Sequence, residues 1–111
     1  MEGKISPESA KKIQELQIFE QSIQNVLIQR QSFMLELNET NLAIEELKVS
    51  GDEVYKIVGQ AMIKTTKEEL EKELKSKKEI LELKSKNLER QEAGMRGRIS
   101  KLREEILSNI E

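Results

Sequence analysis

From Leu74 onward an apolar side chain returns at every seventh residue, at Leu74, Leu81, Leu88, Met95 and Leu102. A strict seven-residue line is useful only to a helix that wraps round a partner, because about 3.5 residues per turn keeps such a line facing that partner. Leu70 precedes the line, and Ile99, Ile106 and Ile110 join it near the end. The first half of the chain carries a matching seam at alternating steps of three and four. It runs through Leu16, Phe19, Ile23, Val26, Arg30, Phe33, Leu37, Thr40, Ile44 and Leu47, with Arg30 and Thr40 as its polar interruptions. In the second half Lys78, Ser85 and Glu92 fill alternate seam positions midway, so this stretch should pack less strongly. It also leaves the register between the two helices open by about one heptad.

The helix ends are marked. Ser6 can cap the first free amides, and Pro7 suits the first helical position, where its missing N–H costs nothing. Ser50 and Gly51 stop the first helix. Thr66 and Glu69 form a capping box that opens the second. The expected helices are 6–49 and 67–109, each roughly 65 Å long at about 1.5 Å per residue, and a short connection forces them antiparallel. Ile5 and Ile13 then lie at the tip with Ile99, Leu102, Ile106, Leu107 and Ile110. Adjacent helical residues point about 100° apart, so Ile106 and Leu107 cannot share one narrow seam, and one of them should be exposed. Such an exposed apolar tip can hold unfolded chains by burying their apolar side chains, at about 25 cal/mol per Å² and without sequence preference. Arg30 is expected to snorkel, keeping its guanidinium in water, with register fixing or client contact as the alternatives.

Composition removes most other function classes. Of 111 residues 36% are hydrophobic and 36% charged, and the only aromatics are Phe19, Phe33 and Tyr55, too few for a globular core. The net charge is −2 with the signs interspersed, which offers no basic face to a nucleic acid. There is no cysteine and no histidine, hence no disulfide and no thiolate or imidazole metal ligand. No apolar run approaches the ~20 residues of a membrane span, and "MEGKISPESAKK" lacks the apolar stretch of a signal peptide, so the expected location is the cytoplasm. The carboxylates of Glu68, Glu69, Glu71 and Glu73 read as a solvated helix face, since a bare two-helix hairpin offers no pocket to raise a pKa. The reading is a non-enzyme, with no catalytic residue, no metal site and no cofactor.

The connector, 53–65, is too long for a simple reversal between helices. "DEVYKIVGQAMIKTT" places β-formers on both sides of Gly59-Gln60, and glycine at the first central position suits a two-residue hairpin turn. The register that follows pairs Val58 with Ala61, Ile57 with Met62, Lys56 with Ile63, Tyr55 with Lys64 and Val54 with Thr65. Apolar groups fall on both faces of this ribbon, and an isolated two-stranded hairpin is marginal in water with two open edges. Oligomerisation through Val54, Tyr55, Ile57, Val58, Met62 and Ile63 is the expected remedy. The fold class is therefore dominated by α-helix: a long antiparallel two-helix coiled-coil hairpin, with one short β-hairpin at the connection contributing to an oligomeric β-barrel.

"NET" at Asn38 to Thr40, "AIEEL" at Ala43 to Leu47, "EVYKIVGQAMIKTTKEELEKEL" at Glu53 to Leu74 and "LERQE" at Leu88 to Glu92 resemble, in order and spacing, the archaeal-like β-type subunit of prefoldin. The resemblance implies a single β-type domain over 1–111 and an ATP-independent chaperone, a hexamer in which two α-type subunits join four β-type subunits. It implies client proteins held in a non-native state at the coiled-coil tips and delivery to a group II chaperonin; the interspersed charges leave neither nucleic acid nor membrane as an expected partner. The rival reading from the residues is a structural coiled-coil scaffold assembled through the β-hairpin. Gly94 and Gly97 depart from the pattern, at about 1 kcal/mol each relative to alanine in a helix, and point to local flexibility near the tip.

Overall fold

In a computed structural model, which describes residues 5–109, the order of elements is α1 (Pro7–Val49), β1 (Glu53–Val58), β2 (Ala61–Thr66) and α2 (Lys67–Asn109). The chain forms two compact units, one from Met1–Gln31 with Asn87–Glu111 and one from Ser32–Lys86. Ion pairs and shared lining residues show the helix segments running antiparallel within each unit.

The ends form as the caps dictate. The Ser6 hydroxyl accepts from the Ser9 amide at 3.1 Å, and the helix starts at Pro7. At the other end of α1 the Ser50 amide and hydroxyl both donate to the Leu47 carbonyl, at 3.3 and 2.8 Å. Lys67 adds a closure that the sequence reading missed. Its ammonium donates to the carbonyls of Lys48 and Ser50 at 3.3 and 3.1 Å, satisfying acceptors that the end of α1 leaves over. At the start of α2 the Glu69 amide donates to the Thr66 hydroxyl at 3.1 Å, the first half of a capping box. The second half is redirected, because the Glu69 carboxylate takes its hydrogen bond from the Thr65 hydroxyl instead, at 3.1 Å.

The sheet has two strands among the described residues, paired Glu53↔Thr66 through Val58↔Ala61 in the register that the central turn dictates. Gly59 adopts φ +62°, the left-handed value that primed hairpin turns need and that a side chain would oppose. Strand β2 runs one residue past the expected end, to Thr66.

Ile23, Val26, Leu88, Ile99, Leu102 and Ile106 form the buried seam of the first unit, and Leu47, Val54 and Leu81 that of the second. Thr40 is buried without penalty, since its hydroxyl donates to the Glu36 carbonyl one turn back at 2.8 Å. Ser9, also buried, has the Ser6 hydroxyl 3.1 Å away. Gly94 and Gly97 lie inside an unbroken α2.

Candidate functional site

The hairpin has two faces because side chains alternate along a strand and paired residues point the same way. Val54, Lys56, Val58, Ala61, Ile63 and Thr65 share one face; Tyr55, Ile57, Met62 and Lys64 share the other. At the root the first face meets the helices of its own unit. Val54 is buried there, in a recess also lined by Leu47, Leu70 and Leu74, and the Lys56 ammonium pairs with Glu73 at 2.8 Å. Towards the turn both faces are open. Ile57 is 74% exposed and Met62 69%, with Val58, Tyr55 and Ile63 also largely in water. Of the six residues expected to assemble, five therefore present uncovered apolar surface, while Val54 belongs chiefly to the subunit's own packing. Each strand also has an outer edge with no backbone partner among the described residues.

The tip residues divide more sharply. Leu102 is fully buried, and Ile99 and Ile106 are buried beside it in the seam of the first unit. These three lie on the apolar line that the spacing identified, and there they are covered rather than open to water. Leu107 is the exposed one of the adjacent pair, at 72%. It lines a groove of about 430 Å³ with Ile23, Leu27 and Ile99, and Glu20, Arg96, Arg103 and Glu104 are also in its lining. Ile5 is exposed and Ile13 half-buried. Ile110 lies outside the described residues.

Arg30 does not simply snorkel. Its guanidinium donates to Glu92 at 2.7 Å and to Glu89 at 3.0 Å, and Glu92 accepts in addition from Arg96 at 2.8 Å. Hydrogen bonds from Arg96 first, and from Arg30 against the opposing effect of desolvation, hold the Glu92 carboxyl below the ordinary glutamate range. Further pairs join the helices of this unit: Glu15 with Arg98 and Glu20 with Arg103, both at 2.8 Å, and Lys12 with Glu105 at 3.6 Å. Pairing to Glu15 raises the Arg98 guanidinium pKa further.

One apolar line escaped the sequence reading. Ile28, Leu35, Leu42 and Val49 lie seven residues apart on α1 and are all exposed. Their seven-residue spacing is the signal in the sequence that marks this line. Among the described residues no group of three acidic side chains is placed to hold a metal, and no helix is long and apolar enough to cross a membrane.

Comparison with known proteins agrees with this architecture. The family model described as "Prefoldin subunit" matches residues 10–110. The prefoldin subunit beta of Archaeoglobus fulgidus is 37% identical over 94% of this chain and 91% of its own length. That of Pyrococcus abyssi is 36% identical over 92% and 89%. The crystal structure of the prefoldin beta subunit from Thermococcus strain KS-1 superposes with a TM-score of 0.85 at 36% identity, covering 95% of this chain and 94% of that one. The chain belongs to the prefoldin family, as a subunit of the β type, and so to a family of chaperones.

Proposed function

We propose that the chain is the β-type subunit of an ATP-independent holdase, assembled with an α-type partner as two α-type and four β-type chains in the cytoplasm. The observation that carries this reading is the hairpin, whose turn-proximal half leaves Tyr55, Ile57, Val58, Met62 and Ile63 uncovered on both faces between two open strand edges. Burying an apolar side chain of this size contributes roughly 1.5–3 kcal/mol, so two or three such chains per subunit can drive assembly even after association entropy is subtracted. Strands from neighbouring subunits would close the edges into a barrel, which removes unpaired backbone groups.

Non-native clients are held at the tip by Leu107, with Ile5 and Ile13, and by the groove beneath Leu107. Ile99, Leu102 and Ile106 support that surface from within the seam, and Ile110 extends the same apolar line in sequence. Clients pass from there to a group II chaperonin. The chain itself has no catalytic role. Aggregation of an unrelated denatured protein tests the reading: the mixed complex should suppress it without nucleotide, and replacing Leu107 by serine should weaken the suppression. A complex that assembles but leaves aggregation untouched would favour the scaffold reading instead.

A further inference from the structure

Arg30 holds a seam position on α1 between Val26 and Phe33, and Glu92 holds one on α2 between Leu88 and Met95. These two polar interruptions meet. Arg30 Nη1 donates to Glu92 Oε1 at 2.7 Å, Arg96 Nε donates to Glu92 Oε2 at 2.8 Å, and Arg30 Nη2 donates to Glu89 Oε1 at 3.0 Å. The cluster contains two cations and two anions, and both oxygens of Glu92 are engaged. The Glu92 side chain is only 13% exposed, so its charge depends on these partners.

A cluster like this adds little net stability, because desolvating the ions offsets much of their attraction. Its larger effect falls on the alternatives. The α2 line of Leu81, Leu88, Met95 and Leu102 nearly repeats itself after a shift of seven residues, so apolar packing alone discriminates poorly between heptad-related alignments. The charges do discriminate. Shifted one heptad one way, Arg30 would face Ile99 and Arg96; shifted the other way, it would face Ser85 and Glu82 and leave Glu92 to Arg96 alone.

We propose that Arg30 and Glu92, with Glu89 and Arg96, form a register lock that selects one alignment of α1 and α2 in this unit and thereby fixes how much of the terminal apolar seam is covered. Glu105 sits across from Lys12 at 3.6 Å. The slip that sets Arg30 against Ser85 and Glu82 would move it to the level of residue 5 and carry Ile106 past the start of α1 at Pro7. Ile106 would then lose its cover. The lock does not depend on the chaperone reading, since it concerns the subunit alone.

Spin-label distances test the lock directly. The chain has no cysteine, so Gln24→Cys and Ser100→Cys, two exposed positions lining the same groove, accept labels uniquely. The full-length labelled chain is diluted into unlabelled chain so that only the distance within one molecule is read. With the lock intact, one narrow separation is expected. In Arg30→Leu/Glu92→Leu, with helicity retained by circular dichroism, a second and longer separation should appear, from an axial displacement of roughly 10 Å. A single unchanged separation in that variant would overturn the lock. Should the double variant lose its helices, Glu92→Gln decides by the same two outcomes, since it keeps the shape and removes the charge.

Discussion

The two units treat their apolar side chains in opposite ways. Six of the nine buried hydrophobic residues among those described lie in the unit that contains the start of α1 and the end of α2. Eleven of the fifteen large exposed ones lie in the hairpin unit. The ion pairs follow the same division. Among the described residues the ion pairs of the first unit join α1 to α2, through Lys12, Glu15, Glu20 and Arg30, with Glu92–Arg96 the exception, whereas those of the second stay within one helix, such as Lys75 with Glu71 and Lys48 with Glu45, or within the hairpin and its neighbour. The first unit covers most of its seam with its own residues and leaves Ile5, Ile18, Ile28 and Leu107 exposed. The second is left open by its own residues, which is the condition expected of a surface that another chain completes.

Truncating the closed seam should have the largest effect. Leu102→Ala opens a cavity at the most buried side chain and is expected to cost about 2–4 kcal/mol in thermal or denaturant unfolding. An unchanged midpoint would mean that the seam of this unit does not hold it. The open unit should respond differently. Ile57→Ser/Met62→Ser should leave the helical signal intact while weakening association with an α-type subunit by at least tenfold, about 1.4 kcal/mol. Loss of helicity in this variant would show that the hairpin face is needed for folding rather than assembly.

Gly94→Ala and Gly97→Ala sharpen the comparison from the other side. A methyl group at either position meets nothing within 4 Å, so each substitution should stabilise α2 by about 1 kcal/mol, read as a rise of several degrees in melting temperature. If both glycines serve as flexible points near the tip, client capture falls as stability rises; no change in either quantity removes that role.

The smallest expected effect is on pH. The folded-state pKa of Glu92 is lowered by Arg96 and Arg30, and that of Glu71 by Lys75, so their contributions are present above the ordinary glutamate value of about 4.3 and are lost as the pH falls through the lower folded values. Melting temperature should hold between pH 7 and about pH 5 and decline below pH ~4. Glu92→Gln should flatten that decline more than Glu71→Gln, because Glu92 is engaged from both helices and Glu71 only by Lys75, one turn away on its own helix.

Much of this was legible in the residues. The hairpin register follows from Gly59-Gln60 and a period of two, the helix ends from Ser6-Pro7 and Thr66, and the seam from spacing alone. What escaped depends on the partner helix. Spacing put Ile99, Leu102 and Ile106 on the seam line and barred Ile106 and Leu107 from sharing it, but which of that pair water reaches is decided by how α1 lies against them. Arg30 looked like a snorkelling side chain because its carboxylates are 59 and 62 residues away in sequence. Lys67 capping the end of α1, and Glu69 turning to Thr65, likewise need the two elements side by side before they can be seen. Local rules identified the elements; contacts across the seam chose the roles.

Assembly through the open hairpin is the central claim, and solution mass tests it most directly. Light scattering after size exclusion would be recorded for the purified chain alone and mixed with an α-type subunit. A mixed hexamer that the Ile57→Ser/Met62→Ser variant fails to form is the predicted result. A monomer or simple coiled-coil dimer in both samples would contradict it, because the exposed faces of the hairpin would then have no partner to cover them.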